Sequence, residues 1–111
     1  YSTYMDKKQK AQHRIDKIKN ELFEIGPMRP GKLSRQKRKD RNGKLYGEYW
    51  QLGYSYKMKS RSHYIPDDLV EVVQAQNLTY RKFKKLTEEW IDLALLIAEN
   101  DLARAKKKTK N

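Results

Sequence analysis

The spacing of the apolar residues changes period twice along this chain, and both changes fall beside a proline. Ala11, Ile15, Ile18, Leu22 and Ile25 recur at intervals of four and three, which puts one apolar stripe on a helix covering about residues 4–25. Gly26-Pro27 ends that helix, because glycine caps it and proline cannot continue it. Between Glu48 and Tyr56 the period becomes two: Trp50, Leu52, Tyr54 and Tyr56 fall on one face, and Tyr49, Gln51, Gly53 and Ser55 on the other. Past Pro66-Asp67-Asp68 the three-four spacing returns in Phe83, Leu86, Trp90, Leu93 and Ile97, with Leu69 and Val72 extending it upstream. Proline suits a first helical position, and the two carboxylates meet the positive end of the helix dipole. Gln76 and Thr79 interrupt the stripe, so the seam bends or changes partner there.

The middle segment holds more than one strand. Gly31 to Lys39 is a basic strand, Asp40-Arg41-Asn42-Gly43-Lys44 is a turn with Asn-Gly at its heart, and Ser60 to Ile65 returns after Lys57-Met58-Lys59. The expected fold class is α+β, with two long antiparallel helices and a three-stranded antiparallel basic sheet inserted between them in sequence. The 111 residues form one domain: an N-terminal helix in 1–26, a β-meander in 29–65, a long helix in 66–103 and a basic tail in 104–111. The inner aromatic face of the sheet is expected on the first turns of the second helix, near Leu69, Val70 and Val73. Either helix stripe also offers a route to a homodimer.

With 37% hydrophobic and 36% charged residues, the core is thin and leaves no room for a large enclosed enzyme pocket. No cysteine is present, and His13 and His63 stand far apart, so neither a metal site nor a cofactor is expected. No apolar run approaches the ~20 residues of a membrane span, and the expected location is cytoplasmic. The sequon Asn77-Leu78-Thr79 lies inside a helix and is taken as coincidence.

Charge is unevenly distributed. Arg29 to Tyr64 carries eleven Lys/Arg against two acids, whereas residues 1–28 are +2 and residues 65–111 are +1. Positive charge packed into one aromatic module suits a polyanion, above all nucleic acid. The candidate binding residues are Arg29, Lys32, Arg35, Lys37, Arg38, Lys39, Arg41, Lys44, Tyr49, Gln51, Lys57, Lys59 and Arg61. Arg35, Lys37 and Lys39 alternate with Lys32 and Arg38 across the first strand. Arg35, Tyr49 and Gln51 are assigned to base edges in a major groove, and Lys37, Lys39, Arg41, Lys44, Lys57 and Lys59 to phosphates. That assignment assumes that the Trp50 face packs inward. Tyrosines turned outward instead favour stacking on unpaired bases, hence single strands or RNA. Lys106, Lys107, Lys108 and Lys110 add phosphate contacts or are simply a solvated end.

Catalysis finds little support. Gly26 to Lys32 has the spacing of a phosphate-binding loop, but Leu33 stands where magnesium needs a hydroxyl, and two prolines remove backbone donors. Asp40 and Glu48 fall near turns, and Glu88, Glu89 and Asp92 line a solvated helix face.

Gly-Pro-x-x-x-Gly at 26–31, Tyr46-Gly47-x-Tyr49 and Tyr64-Ile65-Pro66 opening a long helix resemble a family of small prokaryotic and phage proteins grouped as a domain of unknown function. The resemblance covers roughly residues 15–95. Many members carry cysteines after the basic strand and Gly-Pro-Tyr where this chain has Gly47-Glu48-Tyr49, so no metal or redox role is carried over. The layout is also similar to the arm-binding domains of tyrosine-recombinase integrases and to plant AP2 domains, which place a three-stranded sheet in the major groove of DNA. It implies duplex DNA and a setting in phage or mobile elements, although fold does not fix function.

The expected function is non-enzymatic nucleic-acid binding, DNA before RNA, as an accessory of a larger complex. The alternatives are a protein-interaction module or phage-encoded inhibitor on an acidic partner, and an RNA-binding subunit of a ribonucleoprotein.

Overall fold

A computed structural model describes residues 6–109. Among them are two α-helices, α1 (Lys7–Phe23) and α2 (Val70–Thr109), and three strands, β1 (Lys32–Lys39), β2 (Leu45–Tyr56) and β3 (Lys59–Ile65). The strands form one antiparallel sheet in the order β1-β2-β3. The α+β class is therefore correct, while the helices are unequal at 17 and 40 residues. The chain divides into two compact units, Gly26–Arg81 and the remainder, and α2 runs through both.

In the helical unit, α1 starts at a capping box. The Asp6 carboxylate accepts from the Gln9 amide at 2.7 Å, and the Gln9 side chain accepts from the Asp6 amide at 3.2 Å. Residues 4 and 5 of the expected helix lie outside the described residues. Ala11, Ile15 and Ile18 are buried, as is Leu86 on α2, with Phe83, Trp90, Leu93 and Ile97 half-buried. Lys8 pairs with Asp101 at 2.9 Å and Arg14 with Glu89 at 2.6 Å, so ascending positions on α1 meet descending positions on α2. That order is antiparallel. Among the described residues, Arg104 to Thr109 continues α2 rather than forming a tail, and Lys110 lies outside them. Ile91, Leu95 and Leu102 project from a further face of α2 and are each more than half exposed.

The sheet unit has its own core. Leu52, Ile65 and Val73 are buried together, with Leu33, Trp50, Tyr54 and Val70 packed around them. Burying a side chain of this size contributes about 1.5–3 kcal/mol, so a centre of three holds only a small sheet. Pro66 leads into a single 3-10 turn, Asp67–Leu69, before α2 begins. In the first turns of α2, Val70, Val73 and Asn77 face inward, while Leu69 and Val72 are exposed at 46% and 52%. The seam expected through Leu69 and Val72 is thus wrong by one residue, while α2 passes from one compact unit to the other after Arg81, a few residues beyond the expected interruption at Gln76 and Thr79. Asn77 is only 3% exposed and spends its amide on the Arg29 carbonyl at 2.9 Å, which makes the sequon unusable in the folded protein.

Candidate nucleic-acid interface

Alternation on β2 divides the sheet as the sequence implies. Trp50, Leu52 and Tyr54 belong to the core side, and Tyr49 and Gln51 to the opposite side. Register carries this across the ladder. Leu33 and Arg35 stand opposite Leu52 and Trp50, so they share the inner face, whereas Ser34 and Gln36 stand opposite Gln51 and Tyr49. On β3, Tyr64 stands opposite Gln51 and His63 opposite Leu52.

Arg35 is therefore not beside Tyr49 and Gln51, and a joint base-edge contact by the three is corrected by the register. Its guanidinium lies 5.0 Å from the Trp50 ring centroid and donates to Glu48 at 2.8 Å. That hydrogen bond, followed by the guanidinium charge, lowers the Glu48 carboxyl below its usual range, and Lys37 adds to the effect. Both residues are occupied with each other. Asp40 is likewise committed: one carboxylate oxygen accepts from the amides of Asn42 at 2.9 Å and Lys44 at 2.8 Å, closing the β1–β2 turn.

One irregularity reshapes the outer face. Lys37 stands opposite Glu48 and Arg38 opposite Tyr46, which leaves Gly47 as an extra residue with φ +56°. A bulge of this kind adds one residue to one strand and reverses its alternation. Tyr46 and Tyr49, three apart in sequence, consequently share a side. With Tyr64, Lys37, Arg38 and Lys39 they line an open groove of about 700 Å³, where Arg38 shares the tyrosine side and Lys37 and Lys39 alternate to the Arg35 side of β1. The Arg38 guanidinium lies 5.1 Å from the Tyr49 ring centroid, and the Tyr49 and Tyr64 rings are tilted at 6.3 Å. Tyr46 and Tyr64 remain 55% and 60% exposed. These two tyrosines were missed in the sequence. Gly47 between two tyrosines is the signal that locates the first. The two-residue Lys57-Met58 turn, by fixing register, locates the second.

The groove gathers Lys37, Arg38, Lys39 and Tyr49 from the candidate set, with Arg41 and Lys44 in the adjoining turn. It does not gather the rest. Lys57, Lys59 and Arg61 belong to the opposite end of β2, as does Lys32, which stands opposite Gly53. At about 3.3 Å per residue, the eight residues from Tyr49 to Lys57 separate the two ends by roughly 26 Å. Arg29 is turned to α2, where its backbone amide donates to the Gln76 carbonyl at 3.1 Å and its Nε to the Gln76 side chain at 3.0 Å.

Among the described residues there is no group of three His, Asp or Glu side chains arranged to hold a metal, and no helix long and apolar enough to cross a membrane. No family model, curated protein or solved structure matches this chain.

Proposed function

We propose that this is a non-enzymatic nucleic-acid-binding protein whose contact surface is the outer face of the sheet at the β1–β2 end. The observation that carries the reading is the groove in which Arg38 stands among three tyrosines, with the flanking Lys37 and Lys39 also lining it from strand positions that alternate to the Arg35 side. Lysine and arginine neutralise phosphates and release counterions, which supplies affinity without requiring any sequence to be read. Arg41 and Lys44 extend the cationic rim into the turn, and Gln51 adds an amide for base-edge contact. The polyanion is DNA or RNA.

The test is affinity after replacing Lys37, Arg38, Lys39 and Arg41 together by alanine, with the fold checked by circular dichroism. Arg35 is left intact because it pairs with Glu48. Affinity for a mixed-sequence oligonucleotide is expected to fall by about tenfold or more. For about five phosphates, the log-log salt slope of the unsubstituted protein is expected at roughly −3.5 to −4.5. Binding unchanged by the four substitutions would reject the assignment.

A second reading, an accessory role inside an assembly, is favoured by the exposed Ile91, Leu95 and Leu102 on α2. Sedimentation of the pure protein over a range of concentrations tests whether this face takes a second copy of the chain. Replacing Leu95 by Lys is expected to leave only monomer.

A further inference from the structure

We infer that the groove takes an unpaired nucleotide, with its base stacked on an exposed tyrosine and its phosphate held by Arg38, the cation on the tyrosine side of β1. This inference rests on the nucleic-acid reading above and specifies the form of strand recognised.

The argument is one of accessible faces. In a duplex both faces of each base are covered by neighbouring bases, so a flat aromatic side chain meets only base edges and the backbone. An unpaired base offers its π-face, and stacking on tyrosine tolerates any sequence. Tyr46 and Tyr64 expose more than half of their surface on one side of the sheet.

Tyr49 does not offer its ring in the same way. Arg38 already lies over it at 5.1 Å, and the Tyr64 ring stands 6.3 Å away at an interplanar angle of 40°. Tyr49 is thus the wall that orders the other two groups, and Tyr46 and Tyr64 are the platforms. The stack on Tyr49 also fixes the Arg38 guanidinium beside the groove before a ligand arrives, which lowers the ordering cost of a phosphate contact. A groove of about 700 Å³ falls within the size range of small-ligand sites. The Gly47 bulge is what makes the arrangement possible, because regular alternation would send Tyr46 to the face of Trp50.

The unpaired strand is DNA or RNA, and the two share the base and phosphate chemistry used here. Only a contact to the 2′-hydroxyl separates them.

The experiment is a fluorescence-anisotropy titration of the whole protein against four labelled probes at one salt concentration: single-stranded DNA, its duplex, single-stranded RNA of the same sequence, and the RNA duplex. Each probe is repeated with Tyr46→Ala, Tyr64→Ala and Tyr64→Phe. Single strands are expected to bind about tenfold more tightly than either duplex, and each tyrosine-to-alanine change to cost about tenfold on single strands. Tyr64→Phe is expected to bind like the unsubstituted protein, because the ring rather than the hydroxyl carries the contact. Equal affinity of single-stranded DNA and RNA fits the inference, and a preference between them identifies the natural strand. Duplex binding as tight as single-strand binding, insensitive to both alanine changes but lost with the Lys37–Arg41 substitutions, would overturn the inference and leave nucleic-acid binding standing. No binding to any probe would overturn both.

Discussion

The guanidinium of Arg38 lies over the ring of Tyr49, 5.1 Å from its centroid, on the side of the sheet away from Leu52 and Val73. The two residues come from adjacent strands: Arg38 is two residues on from Gln36, which stands opposite Tyr49, and the extra residue Gly47 brings Tyr46 to the same side. Such a contact contributes about 0.5–1 kcal/mol at an exposed site. Its larger consequence is placement, since it sets a positive charge and an aromatic wall at the same groove.

Gly47 governs which side Tyr46 takes and is the first point to test. Its φ of +56° lies in the left-handed region, yet the nearest atom to a built Cβ is Arg38 Cδ at 3.9 Å. The cost of a side chain there is conformational rather than steric. Gly47→Ala is expected to destabilise by about 1–2 kcal/mol in thermal or urea unfolding, and Gly47→Asn by less. Gly47→Val is expected to lose single-strand affinity as well.

Gly31 presents the opposite case. At φ +118°, an added Cβ would meet the Gly53 carbonyl oxygen at 2.7 Å and Leu52 Cδ1 at 2.9 Å. Leu52 is fully buried and the carbonyl is backbone, so neither yields at low cost. Gly31→Ala is expected to destabilise the sheet by more than about 2 kcal/mol, measured by urea titration.

The β2–β3 turn carries Lys57 and Met58 at φ +51° and +66°, values that a two-residue hairpin loop normally assigns to Asn-Gly. Met58 is fully exposed, so its side chain gives nothing back to the fold. Replacing the pair by Asn-Gly is expected to raise stability by about 1 kcal/mol in calorimetry. Because this turn is at the far end of β2 from the groove, oligonucleotide affinity is expected to change less than twofold.

Acid is expected to weaken the fold through two carboxylates. Hydrogen bonding from Arg14 holds Glu89 below its usual range, and Arg35 does the same to Glu48. A group whose folded-state pKa is depressed is protonated more readily in the unfolded chain, so its contribution is full at neutral pH. That contribution disappears as pH falls through and below the ordinary carboxylate range. Melting temperature is expected to be flat from pH 7 to about 5 and to drop below about pH 4.3, less steeply in the E48Q/E89Q variant.

Much of the fold was legible because period and punctuation agree. The even spacing from Trp50 to Tyr54 predicted the buried face of β2, and Asp40 to Lys44 predicted the first hairpin. The inner face at the start of the second helix was misplaced because local spacing does not show on which side Leu52 and Ile65 of the sheet meet it, and they meet it at Val73. Charge located the basic module but not its geometry. Eleven cations in one segment read as a single patch in the sequence, whereas the meander sends Lys57, Lys59 and Arg61 to one end and Lys37 to Lys44 to the other. The assignment of Arg35 to base edges depended on face parity, and its register partner Trp50 reverses that assignment. Tyr46 escaped notice because a bulge of one residue changes which face a side chain occupies.

The most direct test of the account is an amide NMR titration of the intact protein with a short single-stranded oligonucleotide. The account predicts that the largest shift changes fall on Lys37, Arg38, Tyr46, Gly47, Tyr49 and Tyr64, with Lys57 to Arg61 nearly unmoved. Shifts concentrated on the Lys57-Met58 turn or on α2, with the groove unaffected, would contradict it.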